Sequence, residues 1–185
     1  MKTNLKHIAS IQTGLFAKSD VEGDIVYLQV KDFDEHGLIR QPLHADLKEK
    51  TAYEKHLLQS GDVLFAAKGN NNFAVLFEEQ DKECVASTTF FVIKLFNKTI
   101  LPGYLTFYLN HPNTQKLLKA NAIGSSIASI SKTVLEELEI TIPDISTQKN
   151  IIHISDLQKK EKQLRHQIEM LRDKQIQQQI IKAIK

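Results

Sequence analysis

The stretch that most constrains this chain is its end. No proline follows Pro143 and no glycine follows Gly124, so nothing after them breaks a helix. Ser146 is placed to act as an N-cap, accepting from a free backbone N–H just beyond it. Ile154, Leu157, Glu161, Leu164, Ile168, Leu171, Gln175 and Gln178 then recur in alternating steps of three and four. That spacing puts them on one seam of a helix. Helical throughout, Ser146 to Lys185 would be a rod roughly 60 Å long at about 1.5 Å per residue. A lone helix has nowhere to bury an apolar stripe, so the rod needs a partner surface. The preceding residues read as a compact head.

The 185 residues suffice for one sizeable core plus an extension, and the hydrophobic content of 42% is ordinary for a globular chain. No apolar run approaches the roughly 18 residues of a membrane span, and Met1–His7 leads into no apolar signal core. Cys84 is the single cysteine, which rules out an internal disulfide and reads as a small core residue. The expected setting is cytoplasmic. Residues 1–143 carry 15 Lys+Arg against 17 Asp+Glu, and residues 144–185 carry 9 against 5. A head with net charge −2 can bind nucleic acid only through a local patch or loops.

Along the head, Leu5–Ile11 fits either a short helix or a buried strand. Ile25–Val30 reads as a strand, His36–Ile39 as a turn entering another, and Leu47–Leu58 as a helical turn or two. Val63–Ala67 and Phe73–Phe77 predict a hairpin with a Gly/Asn tip, and Val85–Leu95 one longer strand. Pro102 suits the first turn of a helix that His111-Pro112 interrupts and Asn113–Ala120 resumes. A small-residue loop from Gly124 leads to Ser131, which can cap a short helix over 132–138, and Glu139–Ile142 alternates like a strand. The fold expected is α+β: a mixed, mainly antiparallel sheet with short helices, residues 1–143, then one long helix, residues 144–185.

Three loops carry candidate chemistry. In Lys68-Gly69-Asn70-Asn71-Asn72, Asn amides can bond bidentate to adenine and Lys can reach phosphate or guanine; the same residues also suit a tight turn. Ser125, Ser126, Ser129 and Lys132 surround a helix start, where hydroxyls and N–H groups hold phosphate or simply cap the helix. Thr13, Lys18 and Ser19 form a third loop, with Gln29 and Lys31 as neighbours on a strand. On the rod, Glu161, Gln175 and Gln178 either fix register or mark a drift of the apolar face toward Ile176, Ile180, Ile181 and Ile184; we favour the drift. The rod's basic residues read most simply as a solvated face.

The seven histidines show no zinc spacing, and no nucleophile elbow or phosphate loop occurs, so neither metal nor cofactor is expected. Asp46-Leu47-Lys48 has the acid-x-Lys form of metal-dependent nucleases, with Asp32 or Asp34 as a second acid. Such triplets arise by chance in a chain this charged. A bare coiled-coil scaffold is the other alternative.

Gly124–Ser131, then Leu135–Pro143, then Gln148 and Ile151-Ile152 follow one another, supported by Gly61–Leu64, Ala86-Ser87-Thr88 and Tyr104–Leu109. In that order these segments resemble one family, the DNA-specificity subunits of Type I restriction–modification systems. Each motif alone is loose; their order over nearly the whole chain is fairly specific. The resemblance implies a non-catalytic subunit whose head reads double-stranded DNA. Its rod would pair through Ile154, Leu157, Leu164, Ile168 and Leu171 and contact methyltransferase subunits, with a restriction subunit joining the complex. The signature Asn-Pro-Pro-aromatic run of adenine methyltransferases is missing from the sequence. Members usually carry two recognition domains and two long helices; this sequence has one of each. It looks like half a subunit, either a natural form that pairs with itself as a homodimer or a fragment.

Overall fold

The computed structural model describes residues 1–184 apart from 19–22, 35, 36, 41, 49–52, 70 and 123–128. Nine strands are described: β1 (Lys2–Asn4), β2 (Ala9–Thr13), β3 (Ile25–Leu28), β4 (Ala45–Leu47), β5 (Val63–Ala66), β6 (Ala74–Leu76), β7 (Cys84–Ala86), β8 (Phe90–Leu95) and β9 (Glu139–Thr141). The described α-helices are α1 (Pro102–Asn110), α2 (Pro112–Ala120), α3 (Lys132–Glu136) and α4 (Ile145–Ile184). The strands form a four-stranded antiparallel sheet in the order β2-β8-β5-β6, a three-stranded sheet β4-β3-β7 and the pair β1-β9. Only β3 and β7 run parallel among these pairs. The fold is α+β, as the residue patterns predict.

Strand alternation sorts the side chains into layers. In β5, Val63 and Phe65 face a core shared with Leu105 and Leu109 of α1, while Leu64 and Ala66 face a second core. That second core takes Val26 and Leu28 from β3 and Cys84 and Ala86 from β7. The four-stranded sheet is therefore buried on both faces at its centre, by helices on one and by the smaller sheet on the other. The central strand β5 reads as a continuous apolar run for that reason, whereas the edge strand β2 alternates and exposes Ser10, Gln12 and Thr13. Cys84 is sealed in the second core, and burial pushes its thiol pKa up to about 12, which leaves it a packing residue. The edge strand β6 is closed by Asn110, whose side-chain amide both donates to the Ala74 carbonyl and accepts from its N–H, each at 2.8 Å.

The rod is rooted in the head. Gln148 is fully buried on its first turns. Its Oε1 accepts from Leu101 N–H at 2.8 Å, and its Nε2 donates to the carbonyls of Thr99 and Pro143 at 2.8 and 2.9 Å. Ile151 and Ile152 pack on the helical core one turn further. Gln158, Lys159 and Lys162 still border a groove shared with Phe107, His111 and Pro112 of the head, and beyond Lys162 α4 leaves it. Leu157, Leu164 and Leu171 are 54%, 50% and 66% exposed, so this side of the helix is uncovered in the single chain.

Four local expectations are corrected. Leu5–Ile11 is both of its alternatives, a 3-10 turn over Leu5–His7 followed by β2. The run Val85–Leu95 is two strands in different sheets: Phe90 N–H donates to the Ser87 carbonyl, turning the chain between β7 and β8. The strand expected after Gly37 is a single bridge, Phe33 to Ile39, with β4 lying later. The cap of the long helix is Asp144, not Ser146: its Oδ1 accepts from Thr147 N–H at 2.9 Å and Oδ2 from the Thr147 hydroxyl at 2.6 Å. Those bonds hold the Asp144 carboxyl below the usual aspartate range.

Candidate nucleic-acid interface

Five separate segments of the head meet along one edge, and backbone hydrogen bonds stitch them together. Gly14 N–H donates to Phe90 O at 3.0 Å and Leu15 N–H to Ala86 O at 2.9 Å, fixing the segment after β2 against the β7–β8 turn. Ser87 N–H donates to Leu28 O at 2.9 Å, which brings in the end of β3. Ala67 N–H donates to Thr89 O at 3.0 Å, and Ile130 N–H donates to Ala67 O at 2.9 Å. Lys68 and Ser129 form an antiparallel bridge. The described parts of the three predicted loops, at Gly14-Leu15, Lys68 and Ser129, are thus tied into one set of contacts, although 116 positions separate Thr13 from Ser129 in the sequence.

Two glycines shape this edge, one by a close approach and one by its backbone angle. A Cβ on Gly14 would sit 2.1 Å from the Ser87 carbonyl oxygen, so no other residue fits between β2 and the turn. Gly69 has φ +106°, a left-handed backbone that lets the tip after Lys68 reverse direction.

The predicted residues divide by orientation. Lys18, Lys68 and Asn71 are exposed. Asn72 is buried, and its Nδ2 donates to the Ala66 carbonyl at 3.0 Å, so this amide holds the hairpin tip from inside. Ser129 is half-buried beside Lys68. Lys132 is exposed on the first turn of α3, 3.5 Å from Glu136, while Ser131 caps that helix by accepting from Val134 N–H at 3.3 Å. Ser19, Asn70, Ser125 and Ser126 lie outside the described residues.

The sequence pattern gave little warning of the middle of the edge. Ser87 and Thr89 hydroxyls lie 2.6 Å apart on the turn between the two sheets. Beside them a cleft is lined by Phe16, Gln29, Lys31 and Thr88. Gln29 and Lys31 do neighbour the Lys18 loop, but on a 3-10 turn, Val30–Asp32 with Gln29 as cap, rather than on a strand. Lys18, Lys31 and Lys68 make no ion pair among the described residues. Three lysines without an ion pair thus stand on this edge of a head whose net charge is negative, although Lys31 also shares a cleft with Asp32 and Asp46.

Asp32 and Asp46 line another cleft, with Lys31, Arg40 and His44. Each carboxylate is engaged by backbone: Asp46 Oδ1 accepts from Tyr27 N–H at 3.0 Å, and Asp32 Oδ2 from Gln29 N–H at 2.8 Å. No cluster of three or more His, Cys, Asp or Glu able to hold a metal ion occurs among the described residues. No described helix is long and apolar enough to cross a membrane.

The uncovered side of α4 carries Ile154, Leu157, Leu164, Ile168 and Leu171, each about half exposed or more. At 3.6 residues per turn Ile184 comes ten turns after Gln148 and Ile181 about eight turns after Ile152, so a straight helix carries them on the side that faces the head near the root.

A head that gathers lysines, an amide and hydroxyls on one edge has the build of a domain that docks on a polyanion. The family model of the Type I restriction modification DNA specificity domain matches residues 2–170, and the chain belongs to that family. In fold it is similar to the S subunit of a Type-I restriction-modification system from M. genitalium, with TM-score 0.59 and 17% identity over 85% of this chain. It is also similar to the HsdS subunit from Thermoanaerobacter tengcongensis, with TM-score 0.58 and 20% identity over 88%. A third similar chain comes from a structure addressing complex assembly and conformational transition of the type I R-M system, with TM-score 0.61 and 17% identity over 87%. The chain spans 37–38% of the length of these three solved chains. Comparison with curated proteins gives no match.

Proposed function

We propose that this chain is a sequence-specific DNA reader that serves as the specificity component of a Type I restriction–modification complex. The observation that carries this is the stitched edge. Its loops come from five places in the sequence, yet they bring the exposed Lys18, Lys31, Lys68 and Asn71 to the edge that holds the half-buried Thr88 and Thr89, with Ser87 buried beneath and paired to the Thr89 hydroxyl. Ammonium groups neutralise phosphates and set affinity, while amides and hydroxyls read base edges. Residues 1–143 act as the target-recognition head and residues 144–185 as the rod. The rod pairs with a second copy through Ile154, Leu157, Leu164, Ile168 and Leu171, and gives methyltransferase subunits a surface to sit on. A two-fold pair of heads matches an inverted-repeat target with a nonspecific spacer. The chain itself is non-catalytic and cytoplasmic; it positions methyltransferase and restriction subunits supplied by the complex.

Duplex binding by the full chain tests the DNA reading. The expected result is a preference for one sequence, selected from randomised duplexes, and affinity that falls steeply with salt. A chain that binds no duplex at low salt, or binds all duplexes alike, is not a specificity component. Cleavage of DNA in magnesium, abolished by Asp46→Ala, would instead favour the nuclease alternative.

A further inference from the structure

We propose that Phe16 is a specificity-determining residue whose ring reads a thymine 5-methyl group in the major groove; this rests on the DNA-reading proposal above. Phe16 is 86% exposed, more than any other large apolar side chain among the described residues. A ring left in water forgoes the stabilisation that burial gives elsewhere in this head. Its position is nevertheless built. The buried Tyr27 side chain clamps the backbone on both sides of it: the Tyr27 hydroxyl donates to Leu15 O at 3.0 Å and accepts from Ala17 N–H at 3.4 Å. Upstream, Gly14 and Leu15 are tied to Phe90 and Ala86 by backbone bonds. The fold thus fixes the backbone that carries an apolar ring outside the protein, at the stitched edge.

The surroundings define the occupant. Phe16 lines a cleft with Gln29, Lys31 and Thr88, and Lys18 is exposed two residues further on. Amide, hydroxyl and ammonium groups around one apolar ring match the major groove, where bases offer donors, acceptors and the thymine methyl group. Lys31 in the cleft and the exposed Lys18 supply positive charge that suits flanking phosphates. Ala17, Tyr27 and Val30 complete the lining, an apolar surround far narrower than the roughly 800 Å² per partner of a stable protein interface.

The test uses the full chain and randomised duplexes. Wild type and Phe16→Ala are each selected for preferred sequences, and the wild-type duplex is remade with uracil for each thymine in turn. The expected result is that Phe16→Ala loses preference at one thymine position and keeps the rest. At that position uracil weakens wild-type binding roughly fourfold, as for one buried methyl group, and leaves Phe16→Ala unaffected. Phe16→Leu, still apolar, keeps much of the preference. Because the ring is exposed, the melting temperature should not move, which separates readout from folding. An unchanged motif in Phe16→Ala overturns the proposal. So does equal weakening on every duplex without a uracil effect, which would mark a wedge or a general contact. Loss of complex assembly with the motif intact would make Phe16 a protein contact instead. If wild type selects no motif, the DNA reading itself fails, a result distinct from all of these.

Discussion

Replacing Lys68 and Asn71 together by alanine should weaken binding to the preferred duplex roughly 100-fold and leave the melting temperature unchanged. Both side chains are exposed at the hairpin tip, and Lys68 makes no ion pair among the described residues. A bidentate amide–adenine pair contributes about 1–3 kcal/mol of discrimination, and one released counterion about 1 kcal/mol at physiological salt. The slope of affinity against salt should fall by about 1, from the lost ammonium. Asn72→Ala should do the reverse. It removes the buried bond to Ala66 O and should cost about 1–2 kcal/mol of stability, since that carbonyl loses its partner. Thermal melting and duplex titration of the two variants side by side check this. Equal affinity of Lys68→Ala/Asn71→Ala and wild type for the target would remove this tip from the interface.

Leu164→Asp with Leu171→Asp should convert the paired rod to monomers while the head stays folded. Neither leucine touches the head; the described packing of α4 on the core ends at Ile151 and Ile152. In a two-fold pair each change counts twice. Burying one leucine contributes about 1.5–3 kcal/mol, so four lost leucines, replaced by carboxylates, exceed what a micromolar dimer of about 8 kcal/mol can absorb. Sedimentation at about 10 μM should show dimer for wild type and monomer for the variant. Duplex binding by a single head should persist, but only to half of the bipartite site. A dimer that survives both changes would contradict pairing through this seam.

How far the residues alone announce these features depends on where the deciding force lies. The helices over 102–110, 112–120 and 145–184 were legible because proline placement and a 3.6-residue pattern are local. The hairpin from Val63 to Leu76 was legible for the same reason, its Gly/Asn tip lying between two apolar runs. The split of Val85–Leu95 was not. Apolar residues continue on both sides of Ser87-Thr88-Thr89, and only pairing with different sheets separates β7 from β8. Asn71 and Asn72 are chemically identical in the sequence; burial by the surrounding hairpin divides them. The cap at Asp144 was hidden because Ser146, Asp144 and Thr147 are all good capping residues within one turn. Phe16 lies in a turn between Gly14 and Lys18, and nothing in its sequence neighbours reveals that Tyr27 holds its backbone in place.

The edge and the rod combine into one requirement: methylation in the cell must follow this chain. Methyladenine should be mapped across the genome of cells that carry the gene and of cells from which it is deleted. The account predicts that a single bipartite motif with two identical inverted halves loses its methylation on deletion and regains it on restoring the chain. A methylation pattern unchanged by the deletion would contradict it.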